Sequence, residues 1–203
     1  MTDVARTNMR DLQKEMTRTR LKDAAVACFV ENGYLATAVT DITKTAGATR
    51  ATFYLHYKTK ADVVHALLDE LDIAYAEPFA EFATVLANPS LDAFRTWLTE
   101  IIGIWGQTRD VSIVVSDAAS VEREIGERRA RSFDFETDRI AKALSNSGQW
   151  AAKQAAIRAV LIFSQLESLF VQWSARDSEL DAEEAIDVLA AMWMAALDPK
   201  AFH

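Results

Sequence analysis

Residues 33 to 60 read GYLATAVTDITKTAGATRATFYLHYKTK, and the placing of one glycine within them decides the fold of the amino-terminal part. Val39, Ile42 and Ala46 recur at i, i+3 and i+7, which sets three apolar side chains on one face of a short helix over about 39–46. Gly47 ends that helix, because glycine takes the positive φ needed just past a helix terminus without a Cβ penalty. Thr49 then serves as N-cap of a second helix through about Tyr54, its hydroxyl accepting from free N–H groups of the first turn. Phe53 is the inward anchor of this second helix, and Arg50, Thr52 and Tyr54 are its polar equipment. Two short helices around a glycine corner make a helix-turn-helix. The second helix of such a unit reads base edges in the major groove while the first crosses the phosphate backbone.

Short or basic donors flank this unit. Thr37, Thr40, Tyr54, His56, Lys58 and Lys60 fall where the chain would meet phosphates, and such contacts fix register without reading sequence. Lys60 also opens the next helix, beside N–H groups that themselves favour anions.

In order, the residues are Gly33-Tyr34, Ala36-Thr37, Val39, Asp41-Ile42, Ala46-Gly47, Thr49, Thr52-Phe53-Tyr54, His56-Tyr57 and Lys60, preceded by Ala24-Ala25 and Phe29. This run resembles the DNA-binding domain of the TetR family of transcriptional repressors, over about residues 16 to 70. Ala48 and Ala51 depart from the valine and glycine more usual in that family, without removing a polar group. The resemblance implies that Thr37, Thr40, Thr49, Arg50, Ala51, Thr52, Tyr54, His56 and Lys60 contact a double-stranded DNA operator. It also implies an all-α fold: a small three-helix helix-turn-helix domain over 1–60, then a larger helical effector-binding and dimerisation domain over 61–203, about nine helices in total.

Charge divides the chain the same way. Residues 1 to 60 carry ten Lys and Arg against six acids, a net of +4, which leaves −12 for the rest of a chain whose total is −8. DNA affinity comes from local neutralisation of phosphates, so the basic segment counts for more than the acidic total. The acidic body repels DNA, biasing docking toward one face and steepening the salt dependence. Half the residues are hydrophobic, with only six glycines and three prolines, as an all-helical chain requires. No run of eighteen apolar residues stands out as a membrane span, and the amino terminus lacks the apolar core of a signal peptide; a cytoplasmic protein without membrane partners is expected. The single cysteine, Cys28, shares an apolar helix face with Leu21, Ala25 and Phe29, and reads as a small core residue or, alternatively, a redox sensor.

Beyond the first helix, expected over 12–32 after a mobile arm, helix four begins near Lys60 with Val63, Val64, Leu67, Leu68 and Leu71 on one face. Asn88-Pro89-Ser90 breaks the helical run that ends near Val85. Ser90 caps the next helix, which Gly106 closes after Trp105, and further helices follow over 110–119 and 121–145. Glu122, Arg123, Glu124, Glu127, Arg128, Arg129 and Arg131 interleave signs and read as a solvated face, or alternatively as a second DNA site. After Ser145-Asn146-Ser147-Gly148, an apolar helix over 150–175 carries Phe163, Leu166, Phe170 and Trp173. Another over 181–197 carries Ile186, Leu189 and Trp193, opened by Asp181 and Glu184 and stopped before Pro199. Two adjacent apolar helices at the carboxyl end, with Phe170, Trp173, Ile186, Leu189 and Trp193 as seam, point to a homodimer built on a four-helix interface.

The family resemblance implies a small-molecule pocket in the body whose occupation moves helix four and releases DNA. Phe94, Trp97, Ile101 and Trp105 lie on successive turns of one helix, and Phe133, Phe135, Phe163, Phe170 and Trp173 are candidates to face them. Such a lining suits an apolar or aromatic effector, and Asp117 or Glu167 beside it would favour a cation. The alternatives are an all-α enzyme and a constitutive DNA-binding protein. His56, His65 and His203 have no metal-site spacing, and no glycine-rich phosphate loop, G-x-S-x-G or H-E-x-x-H motif occurs. The sequence therefore points away from catalysis, metals and cofactors.

Overall fold

The computed structural model describes residues 2–175 and 181–198, and among them it holds eight helices and no strand. These are α1 (Thr2–Asn32), α2 (Val39–Thr45), α3 (Arg50–His56), α4 (Lys60–Ala87), α5 (Leu91–Val121), α6 (Arg123–Asn146), α7 (Ala152–Ala175) and α8 (Ala182–Ala196). The expected stop at Pro199, and His203, lie outside the described residues.

Two boundaries differ from the sequence expectation. The stretch expected as a mobile arm belongs to α1, which starts at Thr2; no glycine or proline precedes Gly33, and Ala, Arg, Met, Leu, Gln, Lys and Glu all favour helix. Gly106 does not close a helix either. Positive φ occurs at Gly33, Gly47 and Gly148, so Gly106 lacks the terminating conformation, and α5 runs through it as one helix where two were expected. A mid-helix glycine costs about 0.5–1 kcal/mol relative to alanine, and the docked positions Phe94, Trp97, Leu98, Ile101 and Trp105 offset it. That fusion reduces the expected nine helices to eight.

Helix ends elsewhere follow the local chemistry. The Asp41 carboxylate accepts from the Ala38 N–H at 2.9 Å. Gly47, at φ +60°, and Ala48 donate back to the Lys44 and Thr43 carbonyls, which closes α2 in a Schellman turn. Asp62 accepts from the Lys58 and Thr59 N–H groups while the Thr59 hydroxyl accepts from the Asp62 N–H, a capping box that starts α4. Ser90 and Asp181 cap α5 and α8 as expected.

The chain forms two compact units. The first, here called the head, comprises Met1–Leu71 and Asp110–Gly126. Leu21, Ala25, Phe29, Tyr34, Ile42, Phe53, Val63 and Leu67 close on Val114, Val115, Ala118 and Ile125 in its core. Cys28 is buried there, its Sγ 3.4 Å from the Thr45 hydroxyl. This unit is larger than the 1–60 domain expected from sequence: compactness adds the first turns of α4 and a segment from the middle of the chain. The second unit, the body, comprises Asp72–Arg109 and Glu127–His203. In its core, Phe82 stacks on Trp97 at 4.0 Å between centroids, and Trp193 meets Phe82, Phe94 and Trp97 within 6 Å.

Most of the expected dimer seam lies inside this body core. Trp173, Ile186, Leu189 and Trp193 are buried, Trp193 to 1% exposure, and Phe170 packs against them. The reason is periodicity: α7 and α8 are apolar on more than one face, and the stripe with Trp173 and Trp193 took the inner one. Left outward are Ile157, Val160, Leu161 and Val171 on α7 and Val188 and Met192 on α8. By length and composition, Ala152–Trp173 is also apolar enough to cross a membrane, contrary to the sequence expectation; its inner stripe, Ala155, Ala159, Ile162, Phe163 and Leu166, belongs to the body core, and Trp173 is buried.

Candidate nucleic-acid interface

In the head, α3 is held by its inner side and its ends. Phe53 is fully buried, with Tyr57 beside it at 5.8 Å and Tyr54 edge-on at 5.6 Å. The Thr49 hydroxyl accepts from the Thr52 N–H at 3.0 Å and lies 2.9 Å from the Thr52 hydroxyl. Arg50, Ala51 and Tyr54 are exposed, and the Arg50 guanidinium donates to the Tyr54 hydroxyl at 3.5 Å. One turn of helix thus presents a guanidinium, two hydroxyls and a phenol, with no acid in α3. Thr40 is exposed on α2.

Two expected phosphate donors are occupied by the protein itself. The buried Thr37 hydroxyl donates to the Cys28 and Gly33 carbonyls at 3.1 and 2.8 Å. The Lys60 ammonium donates to the carbonyls of Tyr34, Leu35 and Thr37 at 2.6, 3.2 and 3.2 Å, and sits 4.2 Å from the centroid of the Tyr34 ring. Its three protons have three acceptors, so Lys60 shapes the 34–37 turn from inside. Burial pulls its pKa below the ordinary lysine value, against the pull of Glu122 and Asp117.

Those two acids are residues that sequence reasoning misplaced. Asp117, expected near an effector, accepts from the Tyr34 N–H at 2.7 Å, and Glu122, expected on a solvated face, accepts from the Tyr34 hydroxyl at 2.8 Å. Burial, then the bond to Glu122, pushes the Tyr34 phenol well above its ordinary range. Both contacts span more than 80 residues of sequence, so no local pattern announces them. Arg128 and Arg129 of the same charge run pair with Asp72 at 2.7 Å and Glu167 at 3.6 Å.

In the body, the expected effector residues divide. Phe94, Trp97 and Ile101 are core; the Trp97 indole donates to the Pro78 carbonyl at 2.7 Å, an acceptor inside α4. Phe163 is buried among Phe79 and Phe133. Phe135 is 65% exposed, and Glu167 is half-exposed against Arg129. Trp105 differs from the rest. It stacks on Phe170 at 5.3 Å and 8° and on Trp173 at 5.5 Å and 28°, and its buried indole N–H has no acceptor among the described residues.

Residues 21–67 match the family model described as bacterial regulatory proteins, tetR family. This stretch of the head thus matches TetR-family regulators in sequence. The HTH-type transcriptional regulator TtgR of Pseudomonas putida is 39% identical over 59 residues, 29% of this chain and 28% of that protein. The fatty acid metabolism regulator protein of Bacillus subtilis is 40% identical over 58 residues, 29% of this chain and 30% of that one. The matched stretch thus spans under a third of the curated relatives' length. Over the whole chain the fold is that of TetR-family structures. The fatty acid degradation regulator FadR of Bacillus halodurans superposes with a TM-score of 0.68 at 17% identity, covering 90% of this chain and 95% of that one. A TetR-family chain from Syntrophomonas wolfei gives 0.72 at 17%, with the same coverage.

Proposed function

We propose that this chain is a transcriptional regulator, acting as a repressor that binds a near-palindromic operator as a homodimer and is released by a small lipophilic effector. The observation that carries the reading is the presentation of α3: Phe53 is locked inward while Arg50, Thr52 and Tyr54 face outward from a capped helix without acids. Arg50 reads a base or adjacent phosphate, and Thr40, Thr49, Thr52 and Tyr54 set the register. Lys60 and Thr37 serve by fixing the turn that enters α2.

Purified full-length protein selected against random duplexes at low salt is expected to enrich a two-fold symmetric site. On that site, Arg50→Ala weakens binding by roughly 1–3 kcal/mol if Arg50 reads guanine. No enrichment of any sequence rejects the reading.

The outward apolar residues of α7 and α8 support dimerisation, since apolar surface concentrated on two helices of a monomer calls for cover. The two helices are tied to each other by Arg158 Nε donating to the Ala196 carbonyl at 3.0 Å and by the Trp193 indole donating to Gln165 at 2.9 Å. Paired with its two-fold copy, this face forms a four-helix interface. Effector binding is supported by the Trp105 stack, where the unpaired indole N–H offers an acceptor-bearing aromatic or apolar molecule one directed bond. Release passes through α4, which contributes residues to both units. A library compound that raises the melting temperature is expected to lower operator affinity, and DNA to lower affinity for the compound by the same factor. An unchanged operator dissociation constant at saturating compound leaves a constitutive repressor.

A further inference from the structure

Leu21, Ala25 and Cys28 form the buried strip by which α1 joins the head core. The same helical strip continues backward at steps of three and four through Arg18, Lys14 and Arg10. Where α1 leaves the core, its inward strip thus changes from apolar to cationic. Arg10, Lys14 and Arg18 are exposed, and Arg10 and Lys14 make no ion pair among the described residues; the ion pair that α1 does form is Lys22 with Glu70.

This row runs past the carboxyl end of α3. The Arg18 carbonyl accepts from the Tyr57 hydroxyl at 3.4 Å, and its guanidinium lies 5.3 Å from the Tyr57 ring centroid. His56, the last residue of α3, has a buried Nδ1 with no hydrogen-bond partner among the described residues. From α1, Lys14, Arg18 and Glu15 bear on its charge, and α3 contributes no acid. Three cations and an imidazole assembled with two interspersed carboxylates, Asp11 and Glu15, carry a net positive charge that a polyanion neutralises.

We propose that Arg10, Lys14 and His56 form a second phosphate-binding line on the head, by which α1 grips the DNA backbone beside the helix that reads it, with His56 taking up a proton on binding. The proposal rests on the DNA-binding reading above. It extends the footprint to α1, and its phosphate contacts are indifferent to sequence.

The proton has a definite sign. In the free protein, burial and then the Lys14 and Arg18 charges hold the His56 pKa below the ordinary 6.5, with Glu15 opposing. A bound phosphate raises it. The bound form therefore holds the proton more tightly, and DNA affinity gains as pH falls toward and below about 6.5. The gain is lost as pH rises through the bound-state value.

Anisotropy titrations of the selected operator and of an unrelated duplex, over a salt series at pH 6 and 8, test this with full-length wild type, Arg10→Ala/Lys14→Ala, His56→Gln and Arg50→Ala. The double variant is expected to lose roughly 2 from the slope of log affinity against log salt per protomer, about 0.9 for each phosphate contact, and equally on both duplexes. His56→Gln is expected to flatten the pH dependence that wild type shows. Both altered α1 side chains are exposed and lie before the first core residue, so thermal unfolding should be unchanged. An unchanged salt slope in the double variant, or the same pH dependence in His56→Gln as in wild type, overturns the proposal. If Arg50→Ala still loses operator preference in that event, the DNA-binding reading stands; a wild type that binds neither duplex removes both.

Discussion

Replacing Trp193 with Ala is expected to destabilise the body by about 3–5 kcal/mol. The indole is fully enclosed by Phe82, Phe94 and Trp97 and donates to Gln165, so truncation leaves a cavity and an unpaired amide together. For a chain of this size, that loss lowers the melting temperature by roughly 6–20 °C. A variant that keeps its melting temperature but changes its association state would contradict the core position of this residue and restore it to the dimer seam.

The second large effect belongs to the opposite side of the same helix pair. Leu161→Asp, at a site 59% exposed on α7, is expected to turn dimers into folded monomers. Two-fold symmetry brings the new carboxylate into the interface twice, and each unpaired buried charge costs about 3–5 kcal/mol. Light scattering at micromolar concentration reads the mass, and circular dichroism checks that the helices persist. Met192→Asp, 49% exposed on α8, should behave alike. Dimers that survive both substitutions place the interface elsewhere, and a wild type that is already monomeric discards the two-half-site model. Operator affinity should fall with either variant, because two half-sites are then no longer held by one particle.

Together the two substitutions separate what periodicity shows from what it hides. The apolar stripes of α7 and α8 were legible as stripes. Which side faced inward was not, because both sides carry apolar residues: the indoles of Trp173 and Trp193 went in, and Leu161, Val188 and Met192 stayed out. In the head, the corner at Gly47, the Thr49 cap and the Phe53 anchor are local events within a few residues, and sequence reasoning reaches them. The roles of Lys60 and Thr37 escaped it. A lysine and a threonine near DNA read as phosphate donors until the carbonyls of Tyr34, Leu35 and Cys28 are seen to have claimed them. Gly106 misled in the other direction, since a glycine ends a helix only when it adopts the left-handed conformation.

The buttress on Tyr34 bears on how the protein is made. Asp117 and Glu122, with Val114, Val115, Ala118 and Ile125, complete a head whose other parts end at Leu71. On the ribosome, the reading helix is synthesised long before the segment that seals its own core. Tyr34 lacks its carboxylate partners until residues 117 and 122 have emerged, and the apolar residues of the amino-terminal half remain partly uncovered until Ile125 has followed. The nascent chain therefore spends the time needed to add more than fifty residues without a finished DNA-binding surface, and competence to bind arrives late, only after the Asp72–Arg109 part of the body has been translated.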